Sequence, residues 1–276
     1  MDYKELFEKE KLKSDYYFSV IKVLESSYNI GEKDEFLISL KLLYLNLSKQ
    51  YNELMTIFGD DASEGITIIN MENNTIIYLF SDIKKASGSY KADISIKMNK
   101  TNEIYNASIK SKNGANPAIL NHTPRCGKVF CEGGILNSKL HSIDEIINEY
   151  IEKRKSKKYG EDMLLINLEC ILNTDLKKAI YDILCYFIFE GTGKGDSKVK
   201  ANSIIYYQNN NILFKKYISH EEKIKYIDSI INNCVISLRD KGMPKKINDI
   251  CKPWIFEDIK ENGEIKYKGS LHIRFK

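Results

Sequence analysis

Residues 91–111 hold the side chains whose types and spacing could do chemistry. Two alternating runs, Lys91-Ala92-Asp93-Ile94-Ser95-Ile96-Lys97-Met98 and Glu103-Ile104-Tyr105-Asn106-Ala107-Ser108-Ile109-Lys110-Ser111, flank the turn residues Asn99-Lys100-Thr101-Asn102. A hairpin centred near 100–102 sets Asp93 across from residues 108–110. Side chains alternate across a strand, so Ile94, Ile96 and Met98 take the core face while Asp93, Ser95 and Lys97 take the other. On the return strand Ser108 and Lys110 share one face, and Ala107 and Ile109 the opposite one. Asp93 and Lys110 then converge on a polar surface with Ser108 between them. A carboxylate is a hard ligand suited to Mg²⁺, which keeps several waters and shares its shell with phosphate oxygens. Such an ion polarises a phosphodiester and acidifies a bound water. A neighbouring lysine orients that water or stabilises charge on the phosphoryl group. The same two residues also make an ordinary cross-strand pair, worth roughly 0.2–1 kcal/mol. Geometry alone favours that plainer reading.

The elements that must position this hairpin follow from periodicity. Residues 1–28 carry Leu6, Leu12, Tyr16, Tyr17, Val20 and Val23 at helical spacing, and a second, strongly apolar helix follows Asn29-Ile30-Gly31 over 34–45. The β-branched runs at 65–69 and 74–80 read as strands. Asn113-Gly114-Ala115-Asn116-Pro117 reads as a loop. A helix covers 143–157, with acids in its first turn; 164–172 is strand or helix; 175–189 is a buried helix. Strands at 203–208, 212–217, 235–239 and 270–275 surround a helix at 220–232. There is no internal repeat and no regular βα alternation. The expected fold is therefore α/β of the α+β kind, a mixed central sheet flanked by helices.

The residues around the acid and the lysine carry a resemblance. Asp93-Ile94, then Ala107-Ser108-Ile109-Lys110-Ser111, Gly114, Pro117 and Ile119-Leu120-Asn121, resemble the catalytic region of HpaII-type restriction endonucleases, members of the PD-(D/E)xK nuclease superfamily. Gly31 to Leu43, with Glu35 opening an apolar helix, resembles the helix that precedes the catalytic strands in such enzymes. The resemblance covers roughly residues 30–125. It implies a restriction-endonuclease-like core over 30–125, in one nuclease domain spanning 1–276, with recognition and dimerisation elements in 126–276. It further implies a type II site-specific deoxyribonuclease of a restriction-modification system, cutting double-stranded DNA with Mg²⁺ as a homodimer. In that reading Asp93 is the metal ligand, Lys110 the catalytic lysine, and Glu35 assists through a water. Ser108 occupies the place of the motif's second acid, a departure also found in relatives that cut CCGG or GCGC sites. A serine is a poor metal ligand, so the ion would rest on Asp93, waters, the DNA phosphate and the Ile109 carbonyl.

Candidate DNA contacts follow from hydrogen-bonding type. Asn113, Asn116 and Asn121 offer amides that match adenine, and Arg125 a guanidinium that matches guanine. Lys112, Lys194, Lys198 and Lys200 suit phosphates, and Arg274 alternates with Leu271 and Ile273 on the last strand. An ordinary polar loop explains Asn121 and Arg125 equally well, and explains Asn113 and Asn116 better.

Composition sets bounds. The 276 residues carry a net charge of +4, with 43% hydrophobic and 29% charged residues, an ordinary balance for a globular chain that neither demands nor excludes a polyanion. Local lysine clusters at 153–158, 194–200 and 241–246 matter more. No apolar run spans a bilayer, and the N-terminus lacks the apolar core of a secretory signal. The expectation is a cytoplasmic protein with no membrane partner and six reduced cysteines. Gly191-Thr192-Gly193-Lys194-Gly195-Asp196-Ser197 fails the phosphate-loop spacing, because Ile188 stands where the first glycine belongs. Two alternatives stay open: a DNA-binding protein that does not cut, and a zinc-stabilised interaction module on His122, Cys126, Cys131 and His141, whose spacing matches no standard zinc site.

Overall fold

The computed structural model describes residues 3–114, 116–121, 128–156, 162–239, 247, 249–259 and 262–276. In chain order the elements are α1 (Tyr3–Glu25), α2 (Ile30–Leu47), α3 (Tyr51–Phe58), β1 (Ile66–Ile69), β2 (Ile94–Met98), β3 (Ile104–Ser111), β4 (Ala118–Asn121), α4 (Leu140–Ser156), β5 (Met163–Leu164), α5 (Thr174–Cys185), β6 (Gly191–Thr192), β7 (Gly195–Asp196), β8 (Ser203–Gln208), β9 (Asn211–Lys216), α6 (His220–Ile231), β10 (Cys234–Arg239), β11 (Ile255–Ile259) and β12 (Ile265–Phe275).

These elements divide into two compact units, residues 1–115 with 199–218, and residues 116–198 with 219–276. The sequence read as one domain with a boundary near 125. The division differs because β8 and β9 return to the first unit, through a pairing more than ninety residues distant that no local pattern announces.

In the first unit a five-stranded mixed sheet runs β1-β2-β3-β8-β9, with β3 and β8 parallel and the other pairs antiparallel. Helices flank it. Asn29 caps α2 by accepting from the Glu32 N–H at 3.0 Å, and the Glu32 carboxylate accepts from the Asn29 N–H at 3.1 Å. These are the reciprocal bonds of a capping box. Ile38, Leu40, Leu42, Leu43 and Leu45 of α2 are all buried. A helix apolar on most of its surface must be covered on more than one side, and α2 packs against α1, α3, β1 and β3. Gly65 leads into β1 at φ +82°, where a Cβ would stand 2.6 Å from Asn46 Oδ1; that oxygen accepts the Ile66 N–H at 2.9 Å. Glycine is what lets the chain pass there. The two-residue turn Asn209-Asn210, both at positive φ, closes the β8–β9 hairpin, as asparagine's tolerance of that region allows.

The run at 74–80 is not a strand. Only Ile76 bridges to Ile69, and the Ile77 N–H reaches the Ile68 carbonyl at 2.9 Å. Tyr78 and Leu79 then turn outward, 63% and 61% exposed.

In the second unit β12 lies between β11 and β10, β4 pairs with its C-terminal half, and β5 extends the sheet from β10. α4 buries Ile143, Ile146, Ile147 and Tyr150 at helical spacing. α5 ends at Cys185, and a wider turn carries the buried Tyr186 to Phe189. Trp254 is fully buried, and its indole N–H donates to Asp144 Oδ1 at 3.2 Å. No helix among the described residues is long and apolar enough to cross a membrane.

Candidate acid–lysine site

The hairpin register sets the site. Ile94 pairs with Ala107 and Ser95 with Asn106, so Asp93, one residue before β2, lies across from Ser108. The Asp93 N–H donates to the Ala107 carbonyl at 2.9 Å, which holds the residue in line with the strand. Its carboxylate accepts on Oδ2 from the Ile109 N–H at 2.7 Å and from Ser108 Oγ at 3.2 Å. The Lys110 ammonium donates to Ser108 Oγ at 2.8 Å. The buried Ser108 hydroxyl therefore relays between acid and lysine: it donates to one and accepts from the other. Both hydrogen bonds to Asp93 fall on Oδ2, so among the described residues Oδ1 carries none.

A second carboxyl comes from α2. Asp34, buried near the start of that helix, accepts from the Ser111 hydroxyl and from Asn113 Nδ2 at 3.1 Å. Those bonds lock the first turns of α2 over the end of β3. The next residue, Glu35, lines a narrow cleft with Asp93, Phe36, Ser39 and residues 83–86. Burial and the negative charge of Asp93 push the Glu35 carboxyl up to about 7, while Lys110 and Lys85 pull the other way. Burial is the larger part of the cost of charging Glu35 and the Asp93 charge the second part, and a cation beside both carboxyls would offset that cost.

Lys91 completes the cluster. It precedes Asp93 by two residues, so alternation puts both on one side of the chain. The residue keeps some exposed surface, but its ammonium is out of water. Burial, with the Lys110 charge beside it, pushes its pKa down to about 7, against the pull of Asp93. The hairpin pattern contained this lysine, and the alternation that selected Asp93 was the signal that could have found it. Lys85 was also missed. It lines the cleft and pairs with Glu32 of the capping box.

Those of the remaining expected residues that are described fall in both units. Asn113 has its amide engaged within the fold, donating to Asp34 and accepting the Asn209 N–H at 2.9 Å. Lys112 is exposed, its ammonium 5.8 Å from the Tyr206 ring centre. Lys200 is exposed on the first unit. Asn116, Lys194 and Lys198 are exposed on the second. Asn121 ends β4 opposite His272. Arg274 donates from Nε to Ser237 Oγ at 3.2 Å and pairs with Asp162. Arg125 lies outside the described residues, as do His122 and Cys126 of the zinc alternative. Of its other two members, Cys131 donates to the Lys128 carbonyl at 3.3 Å and His141 faces Glu145 at 2.8 Å. Among the described residues no three His, Cys, Asp or Glu side chains group to hold a metal.

Fold and site define a mixed α/β chain whose first unit holds a carboxylate–hydroxyl–lysine relay beside a second carboxyl. Comparison with protein-family models, with curated proteins and with solved structures returns no match to this chain.

Proposed function

We propose that the chain is a Mg²⁺-dependent endonuclease of the PD-(D/E)xK kind, cutting double-stranded DNA at a short site in the manner of the HpaII-type restriction enzymes it resembles. A palindromic site read by a homodimer is the arrangement that two-fold symmetry favours. The observation that carries the reading is the Asp93–Ser108–Lys110 relay with Glu35 in the same cleft.

The donor set fits a hard divalent cation. Asp93 Oδ1 and the Glu35 carboxyl would serve as oxygen ligands, and a cation there would offset the burial and the Asp93 charge that raise Glu35. Two protein carboxyls with waters and a phosphate oxygen are the usual complement for Mg²⁺. Glu35 thus supplies from α2 the acid that Ser108 lacks on β3. When bound, the ion polarises the phosphodiester and acidifies water. Lys110, oriented by Ser108 Oγ, stabilises negative charge as it builds on the phosphoryl oxygens. Ile109 N–H and Ser108 Oγ fix the rotamer of Asp93, so its free oxygen keeps one direction. A DNA-binding protein that does not cut is the second reading, favoured by the neutral Ser108 and by the lack of a third acid among the described residues.

The test is incubation with mixed plasmid and phage DNA, with Mg²⁺ or with EDTA. Discrete fragments that need Mg²⁺ and vanish in Asp93→Ala and Lys110→Ala are expected. Binding without cutting would sink the proposal in favour of the second reading.

A further inference from the structure

A groove of about 830 Å³ in the first unit opens between α1, α2 and the segment 78–85. Its volume lies in the range of ligand sites, ~300–1,000 Å³. Two features give it a chemistry. Its walls present aromatic faces to solvent: Phe18 is 71% and Tyr78 63% exposed, with Tyr28 stacked on Phe36 at 5.1 Å behind them. Its rim is basic, with Lys22, Lys84 and Lys85 against the single acid Asp15. Exposed aromatic rings between lysines are how proteins hold unpaired bases while matching their phosphates, since every base has a π-face to stack.

The groove adjoins the acid–lysine site. Phe36, Ile83, Lys84 and Lys85 line both the groove and the cleft that holds Glu35 and Asp93. A strand lying in the groove passes its phosphates along Lys84 and Lys85 toward Asp93. Lys85 is tied to Glu32 in this structure, and a phosphate is the natural competitor for that ammonium.

We propose that this groove binds an unpaired stretch of nucleic acid leading to the phosphate at Asp93, with bases on Phe18 and Tyr78 and phosphates on Lys22, Lys84 and Lys85. The proposal rests on the nuclease reading of the Asp93 site. It makes the substrate a DNA with a locally opened or single-stranded segment on one side of the cut.

The test is fluorescence anisotropy of the full chain in EDTA, with labelled oligothymidylate and with a blunt duplex of similar length. A Phe18→Ala/Tyr78→Ala double variant and a separate Lys22→Glu variant are compared with the wild type, each checked for fold by circular dichroism. The expected result is binding of oligothymidylate that weakens about tenfold or more in the double variant, with a smaller loss for the blunt duplex. Lys22→Glu weakens it too and flattens its salt dependence. Oligothymidylate affinity unchanged in both variants overturns the proposal. So does a shift from dimer to monomer on sedimentation with affinity unchanged, which assigns the groove to a second copy of the chain. Mg²⁺-dependent cleavage is scored separately on the same preparations. Cleavage with variant-insensitive strand binding overturns the groove alone. Variant-sensitive binding with no cleavage overturns the nuclease reading and supports the groove.

Discussion

Glu35 in the first unit and Glu149 in the second are both partly buried glutamates on helices, and they are held in opposite ways. Burial alone would raise Glu149, but hydrogen bonds outweigh it and bring the group down to about 2. Its carboxylate accepts from the Glu169 N–H at 2.5 Å and the Cys170 N–H at 2.8 Å, and pairs with Lys153 at 2.9 Å. Each oxygen has a donor, so the charge is part of what joins α4 to residues 169–170. Glu35 has burial and the like charge of Asp93, and its group rises to about 7. Glu149 uses its charge to hold the fold together, whereas charging Glu35 costs the fold, which is the mark of a site built for something that is not part of the chain.

His272 in the second unit shares with Glu35 surroundings that oppose its charge. It is 8% exposed, with Nε2 3.1 Å from Ser237 Oγ, which also accepts from Arg274, itself paired with Asp162. Burial and the charges of Arg274 and Arg239 push its pKa down. Its contact with Ser237 joins β12 to β10.

The largest expected effect breaks the comparison at its chemical end. Asp93→Ala or Lys110→Ala should lower Mg²⁺-dependent cleavage by about 10²–10³-fold or more, measured as initial rates on plasmid DNA. Glu149→Ala should leave the rate per folded molecule unchanged, and an equal loss there would erase the distinction between the two glutamates.

The two glutamates should also differ in sign in thermal unfolding. Between its ordinary value of 4.5 and about 7, Glu35 binds a proton in the folded chain that the unfolded chain has released, so its contribution to stability is lost as pH rises through that window. Glu35→Gln should therefore raise Tm above pH 7, by roughly 2–8 °C, with the gap closing toward acid. Glu149 binds its proton less well folded than unfolded, so it stabilises above 4.5 and that stability is lost as pH falls toward about 2. Glu149→Gln should lower Tm near neutrality and lose its effect in acid. The same sign for both variants contradicts the contrast.

Lys91 gives a smaller effect of the same kind. Its ammonium falls from 10.5 to about 7 in the folded chain, so the unfolded chain holds the extra proton between those values and stability rises with pH across them. Lys91→Met should raise Tm near neutral pH by roughly 1–4 °C, with the gain shrinking toward pH 10.5. A fall in Tm at neutral pH would contradict a net cost of burying the ammonium.

What could be read from the sequence divides along physical lines. The hairpin was legible because a short turn and strict alternation fix register locally, and Ile94↔Ala107 puts Asp93 across from Ser108 as expected. Helices α2, α4 and α6 were legible from apolar spacing, although α4 begins at Leu140 and not at the expected 143. Strand 74–80 was not, because β-branched residues favour strands only where a partner edge is free along their length, and here pairing stops at Ile76 and Ile77. Helix α3 and strands β4 and β11 also went unread. The approach of Glu35 to Asp93 depends on Asp34 docking onto Ser111 and Asn113, a contact between segments some eighty residues apart. No local period carries that information.

The central claim is that Asp93 and Glu35 together form a divalent-cation site, and calorimetric titration of the full chain with Mg²⁺ above pH 7 tests it most directly. The account predicts one ion per chain for the wild type, binding abolished in Asp93→Asn and weakened about tenfold or more in Glu35→Gln. Identical titrations for the wild type and Asp93→Asn would contradict it.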